Sequence, residues 1–296
     1  MPNLADAQRP LADLRILAKI SIPGFPDWVG IGPGAVWISN QKKNNVARID
    51  PVTDAVVASV RVGRAPCSGL ALGHGSLWVP NCGDRTLSRV DPSTNRVVAT
   101  IPCGIADSEG AIAADERAVW MPSDPHGRLA RIDPATNRVV AQLALPSQSL
   151  AAAVGQGAVW VTSTDHNVVT RVDPATNRVV ATIAVGPRPH FLAVGEGSVW
   201  TLNQGDGTVS RVDPANNRVV ATIEAGIPGE GGDIAVGEGF VWVTAINVPL
   251  TRIDPASNRV VAQWIGKGGD ALRVGHGFVW LCSFFLQEVW RVDPDS

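Results

Sequence analysis

Three of the five histidines, His126, His166 and His190, stand where the chain departs from its own internal pattern. Imidazole changes charge near neutral pH, so such residues are the first candidates for proton transfer. His190 follows Arg188 and Pro189, and carboxylates occupy comparable stretches at Asp27, Asp107, Glu109, Asp165, Glu230, Asp233 and Asp270. A histidine beside a carboxylate can work as an acid–base pair, and carboxylates together can hold a hard divalent cation, Mg²⁺ or Ca²⁺. His190, His166 and His126 are therefore the candidate catalytic residues, and Glu230 and Asp233 the candidate metal ligands. There is no Gly-x-Ser-x-Gly elbow, no Cys–His nucleophile pattern and no metal-type Cys-x-x-Cys.

The elements that must position these groups follow from a repeat. Arg-(Ile/Val)-Asp-Pro begins at Arg48, Arg89, Arg131, Arg171, Arg211, Arg252 and Arg291. A Trp preceded by Val or Leu recurs in step, at Trp37, Trp78, Trp120, Trp160, Trp200, Trp242 and Trp280. The period of about 40 residues and the four short β-rich runs within it match the blade of a β-propeller. In the unit around Trp200 the runs are 191–194, 198–203, 208–212 and 218–224, separated by Gly-x-Gly, Gly-Asp-Gly and Asp-Pro turns. The Gly-x-Gly turns precede strands, which removes a dinucleotide reading.

The seventh unit stops after its third strand, and the segment from Arg15 to Ile22 aligns without gaps on the fourth strand beginning at Arg178. The expected fold is all-β: a seven-bladed β-propeller of four-stranded antiparallel blades, closed by an N-terminal strand near 14–22 that completes the last blade, 269–296. Residues 1–12 fall outside the repeat as a loose leader or short helix, and 13–296 form one domain. Residues shared by all blades serve folding. The Trp residues pack between blades, and Asn95, Asn137, Asn177, Asn217 and Asn258 after the Asp-Pro turns suit a left-handed backbone position.

Composition agrees with this. The 296 residues carry 25 Lys plus Arg against 27 Asp plus Glu, a near-neutral balance that argues against a nucleic-acid partner. No apolar run is long enough for a membrane helix. The N-terminal residues lack the apolar core of a signal peptide, so a cytoplasmic location is expected for the chain as given, and a secreted or periplasmic one if a signal was removed. Cys67, Cys82 and Cys103 map near one another, and a Cys67–Cys82 disulfide would need an oxidising compartment. A monomer is expected.

Loops that vary between blades all fall on the face where inner strands begin, which makes that face the functional one. Ten residues before each marker Trp stand Asp27, Ser68, Gly110, Leu150, His190, Gly232 and Asp270; three after it stand Asn40, Asn81, Ser123, Ser163, Asn203, Ala245 and Ser283. A ligand pocket at this mouth would draw on Asn40, Asn81, Asn203, Asp27 and Asp270, with Trp28, Phe284 and Phe285 as its apolar rim. The leading reading is an enzyme acting on a small molecule there; the alternative is a non-catalytic binding or scaffold propeller.

The unit Gly-x-x-Pro, inner strand, Gly-x-Gly, Val-Trp, then Arg-Val-Asp-Pro-x-Thr-Asn-Arg-Val-Val-Ala-Thr-Ile resembles YVTN-type propeller repeats. It is also similar to the virginiamycin B (streptogramin) lyase family over about residues 14–296. That resemblance implies a seven-bladed propeller and lyase chemistry at its mouth, with Mg²⁺, histidines and glutamates. Arg188-Pro189-His190 matches one family motif, and Glu230 takes the glutamate position of the next blade. Gly232 stands where that motif has its second His, Ile246 where a Glu is expected, and Trp-Phe-Thr-Glu is absent from every blade.

Overall fold

The computed structural model describes residues 4–107, 109–227, 229 and 231–296. Seven antiparallel sheets form seven blades. Their inner strands are Pro26–Gly32, Ala71–Gly73, Ala113–Ala114, Ser149–Gly155, Pro189–Gly195, Asp233–Gly237 and Ala271–Gly275. The outer strand of the seventh blade is N-terminal: Ile16–Ser21 pairs antiparallel with Glu288–Val292, Ile16 facing Val292 and Ser21 facing Glu288. The ring therefore closes with three C-terminal strands and one N-terminal strand, as the repeat predicts. Arg15 adds an ion pair to Asp293 at 2.8 Å beside this join.

The leader is more ordered than the sequence suggests. Gln8–Pro10 runs parallel to Gln263, Trp264 and Ile265 as a fifth strand on the sixth blade. Short 3₁₀ turns, Leu4–Ala7 and Leu11–Asp13, flank it. Leu11 packs against the cluster that holds Trp264 and Trp290. Parallel strands at a blade edge leave no periodic trace in so short a segment, which is why the repeat could not announce them.

The repeated residues form an interlocking girdle between blades. Each marker Trp is fully buried. In five blades its Nε1 donates to the carbonyl of the first Gly of the Gly-x-Gly turn, as Trp200 does to Gly195 at 3.0 Å. Those glycines are needed because the next blade is close. A Cβ on Gly237 would lie 2.6 Å from Val274 Cγ1. The repeated Arg lies over the Trp ring of its own blade and reaches into the turn of the next. Arg171 Nη1 donates to Pro214 O at 2.7 Å and Asn217 Oδ1 at 2.9 Å. Asn217 sits at φ 54°, a left-handed conformation that Asn tolerates. The last Arg, Arg291, donates to Pro51 O at 3.1 Å and pairs with Asp54, which replaces the Asn in the first blade, at 3.0 Å.

Candidate functional site at the channel mouth

The start of the inner strands brings together two aspartates from adjoining blades. Asp27 of the first blade and Asp270 of the seventh are both 6% exposed. The Asp27 carboxyl donates a hydrogen bond to Asp270. Burial pushes Asp27 well above the usual carboxylate range, and the nearby charges of Asp270 and Glu109 push the same way. Burial also raises Asp270, to about 8, with the Glu109 charge adding to it. Two carboxylates this close cannot both ionise in a dry site, so the pair shares a proton. Cys282, fully buried next to them, has its thiol raised by burial and by the same two carboxylates.

His190 begins the inner strand of the fifth blade. Its Nδ1 lies 3.1 Å from Gln204 Oε1, and its ring stacks on Phe191 at 4.5 Å between centroids. Burial lowers its pKa, against the Gln204 hydrogen bond and the Asp107 charge, which raise it. Gln204 is itself oriented by donating Nε2 to Gly231 O at 2.9 Å. Glu109 connects the two halves of the site: its charge acts on both aspartates, and its backbone lies by His190, whose Nε2 is buried without a hydrogen-bond partner among the described residues.

Several expected site residues are placed elsewhere. His126 and His166 are exposed in loops between second and third strands. The backbone N–H of His126 donates to Asp124 Oδ1 at 2.7 Å, and His166 Nδ1 lies 3.3 Å from Ser163 Oγ. Neither histidine touches His190. Asn40, Asn81 and Asn203 are buried inside their blades rather than at the mouth. Asn40 Oδ1 accepts from Phe25 N at 3.0 Å, and Asn203 Nδ2 donates to Thr208 Oγ1 at 2.9 Å and Ser210 Oγ at 2.8 Å. Asn81 makes the matching bonds to Thr86 Oγ1 and Ser88 Oγ. A polar side chain at that height bonds its own strands because they are nearer than the channel.

Trp28 is not at the rim. It is 1% exposed and crosses the channel to meet Phe191 at 5.5 Å between ring centroids. Phe25, Phe284 and Phe285 pack on one another. Phe25 stacks on Phe284 at 4.6 Å, Phe284 tilts against Phe285 at 3.8 Å, and Phe285 remains 62% exposed.

The candidate metal ligands do not come together. Glu230 lies outside the described residues. Asp233 is committed: Oδ1 accepts from Ile234 N at 2.9 Å, and Oδ2 accepts from Leu272 N at 3.2 Å and from Arg273 Nη1. Burial raises its carboxyl, and Arg273 with the two N–H groups pulls the other way. Among the described residues no group of three or more His, Cys, Asp or Glu side chains could hold a metal. The described residues thus do not fit the Mg²⁺ site that the lyase resemblance implies. Gly232 adds to this: at φ 106° its Cβ would collide with the Thr244 carbonyl, so a histidine could not stand there without rebuilding the loop.

Arg273 is the residue that sequence reasoning missed. Seven residues before the marker Trp stand Gly30, Ala71, Ala113, Ala153, Ala193, Ala235 and Arg273. A ring of five alanines and one glycine broken by one Arg was visible in the aligned repeats, three residues along the strand from the ring used to find candidates. Cys67 and Cys82 are joined in a disulfide, Cα atoms 5.8 Å apart; Cys103 and Cys282 are buried free thiols.

No protein-family model matches the sequence, and no curated protein matches it significantly. Solved structures match it closely in shape. This chain is a seven-bladed β-propeller with strong structural similarity to streptogramin B lyases. A streptogramin B lyase structure superposes with TM-score 0.78 at 15% identity, over 93% of this chain and 96% of that one. The virginiamycin B lyase of Staphylococcus aureus gives 0.77 at 13%, over 93% and 98%. The hydrazine synthase of Kuenenia stuttgartiensis gives 0.78 at 16%, over 94% and 97%. At such identities the likeness is one of fold, and a fold shared with such different proteins leaves function to the site.

Proposed function

We propose that the channel mouth binds a small molecule and acts on it by acid–base chemistry, with His190 as proton acceptor and the Asp27–Asp270 pair as proton donor. What supports this reading is the divergence of proton states among residues at the starts of the inner strands. His190 is held neutral by burial, while the aspartates retain a proton into the neutral range. Titratable groups whose environments push their pKa values apart are a mark of acid–base assignment. The Phe25–Phe284–Phe285 stack offers an apolar surface for a flat part of the ligand.

The substrate of this reading differs from a streptogramin B. Gly232 and Ile246 replace the second histidine and the partner acid of the lyase pattern, and Asp233 is engaged by Arg273. No metal step enters. The non-catalytic reading draws support from the exposed positions of His126 and His166, which remove two of three candidate bases. The Cys67–Cys82 bridge supports an oxidising, extracytoplasmic compartment.

The test is a thermal-shift screen of small organic molecules, streptogramin B included, followed by product analysis of the hits with wild type, His190→Gln and Asp270→Asn. General acid–base catalysis contributes about 10²–10⁴-fold, so both variants should lose at least a hundredfold in turnover while still folding. Ligand binding without any product from the wild-type protein would favour the non-catalytic propeller. Turnover unchanged in His190→Gln would overturn the assignment.

A further inference from the structure

Below the mouth the channel holds a second space. A cavity of about 260 Å³ is lined by Leu70, Ala113, Ala153, Ala193, Phe191 and Arg273, among other small and aliphatic side chains. Its lining comes from the parts of the inner strands nearer the Gly-x-Gly turns, beneath the Trp28–Phe191 contact. The lining side chains are small and aliphatic apart from the Asp233–Arg273 pair, and the backbone between them makes the walls about as polar as apolar.

That pair is asymmetric. Asp233 is 3% exposed and has three donors on its two oxygens. Arg273 is 25% exposed and uses one nitrogen, Nη1, for both Asp233 and its own Leu272 carbonyl. Its Nε and Nη2 form no hydrogen bond among the described residues. Those two atoms make the edge of the guanidinium that matches a carboxylate bidentately. An Arg recruited only to neutralise Asp233 needs no cavity; this one lines an open channel space opposite a ring of alanines.

We infer that the channel cavity is a ligand site distinct from the mouth, taking a small apolar carboxylic acid whose carboxylate meets the Nε–Nη2 edge of Arg273 and whose tail lies along the alanine ring. The volume, equal to about nine waters at ~30 Å³ each, limits the ligand to less than drug size. Asp233 orients the guanidinium and opposes the ligand's charge, which keeps the affinity modest. This inference does not depend on chemistry at the mouth.

The experiment is calorimetric titration of the full chain at neutral pH with hexanoate, and with hexanol as the uncharged control. Hexanoate should bind saturably, one per chain, with hexanol at least tenfold weaker. Arg273→Lys keeps a positive charge beside Asp233 but loses the planar edge, and should weaken hexanoate at least tenfold. Ala153→Leu fills the cavity from the far side without touching the ion pair, and should abolish binding while the protein stays folded. His190→Gln should leave hexanoate affinity unchanged. No saturable binding by the wild type, equal binding by Arg273→Lys, or binding lost in His190→Gln but kept in Ala153→Leu would each overturn the inference.

Discussion

Trp28 Nε1 donates to the backbone carbonyl of Cys67 at 3.0 Å. The aromatic side chain that crosses the channel is thus held by a loop that is itself covalently tied to Cys82. Rigidity of the mouth begins at this point, because Trp28 follows Asp27 directly in the chain.

Removing the disulfide should loosen that anchor. The bridge spans a sequence separation of 15, and closing a loop of that length contributes about 3 kcal/mol in the chain-entropy account. Cys67→Ser/Cys82→Ser should therefore melt measurably lower than wild type, and a reducing agent should produce the same fall in the wild type. Cys103 and Cys282 should stay unreactive to a thiol reagent under native conditions, since burial raises both thiols, Cys103 to about 12. Equal melting of oxidised and reduced protein would contradict the bridge.

Asp27 and Asp270 predict an unusual pH profile. Their folded pKa values lie above the unfolded ones. Between those values the native state binds more protons than the unfolded state, so stability falls as pH rises. The loss begins above the unfolded carboxylate range, near pH 4, and continues to about 8, where Asp270 titrates. Asp270→Asn removes the liability. Its melting temperature should gain on wild type from pH 5 up to about pH 8, and a constant difference would refute the shared proton.

His190 carries the opposite sign. Its folded pKa lies below the ordinary 6.5, so the unfolded chain takes up a proton first on acidification. The group's contribution is full above about pH 6.5 and is lost as pH falls through the folded value. His190→Gln should flatten that acid-side decline, and an NMR titration of the ring should report a midpoint below 6.5.

The inter-blade girdle predicts a coupling energy. Arg171 bonds the Pro214 carbonyl and Asn217 of the next blade; hydrogen bonds to a charged group contribute about 1.5–3 kcal/mol. Arg171→Met and Asn217→Ala should each lower stability in denaturant unfolding. The double variant should lose less than the two single losses combined. Strict additivity would mean that the two side chains do not interact.

The architecture was legible because it is periodic. Trp200 and Arg211 recur in every blade for the same physical reason, packing against a neighbour that is a copy. The site was only half legible. Aligning the repeats places residues at the same height along the channel, and Asp27, His190 and Asp270 do stand together at the starts of the inner strands. Height does not say which way a side chain turns. Asn40 and Asn203 share the mouth's height yet bond inward, and Trp28 turns across the channel toward a blade that is not its neighbour. Contacts between nonadjacent blades, like the Glu109 charge acting on Asp27 and Asp270, have no expression in the repeat.

The closing strand has a mechanical consequence. Ile16 faces Val292 and Ser21 faces Glu288, so the two chain ends leave the last pair of strands at the same end. A force pulling the termini apart loads the hydrogen bonds one after another, starting from Ile16 and Val292, instead of shearing them together. Gln8–Pro10, gripping the outer strand of the sixth blade, must detach before that load arrives. Stretched by its ends, the ring should unzip in small steps at low force, leading blade first, while the other blades are still whole.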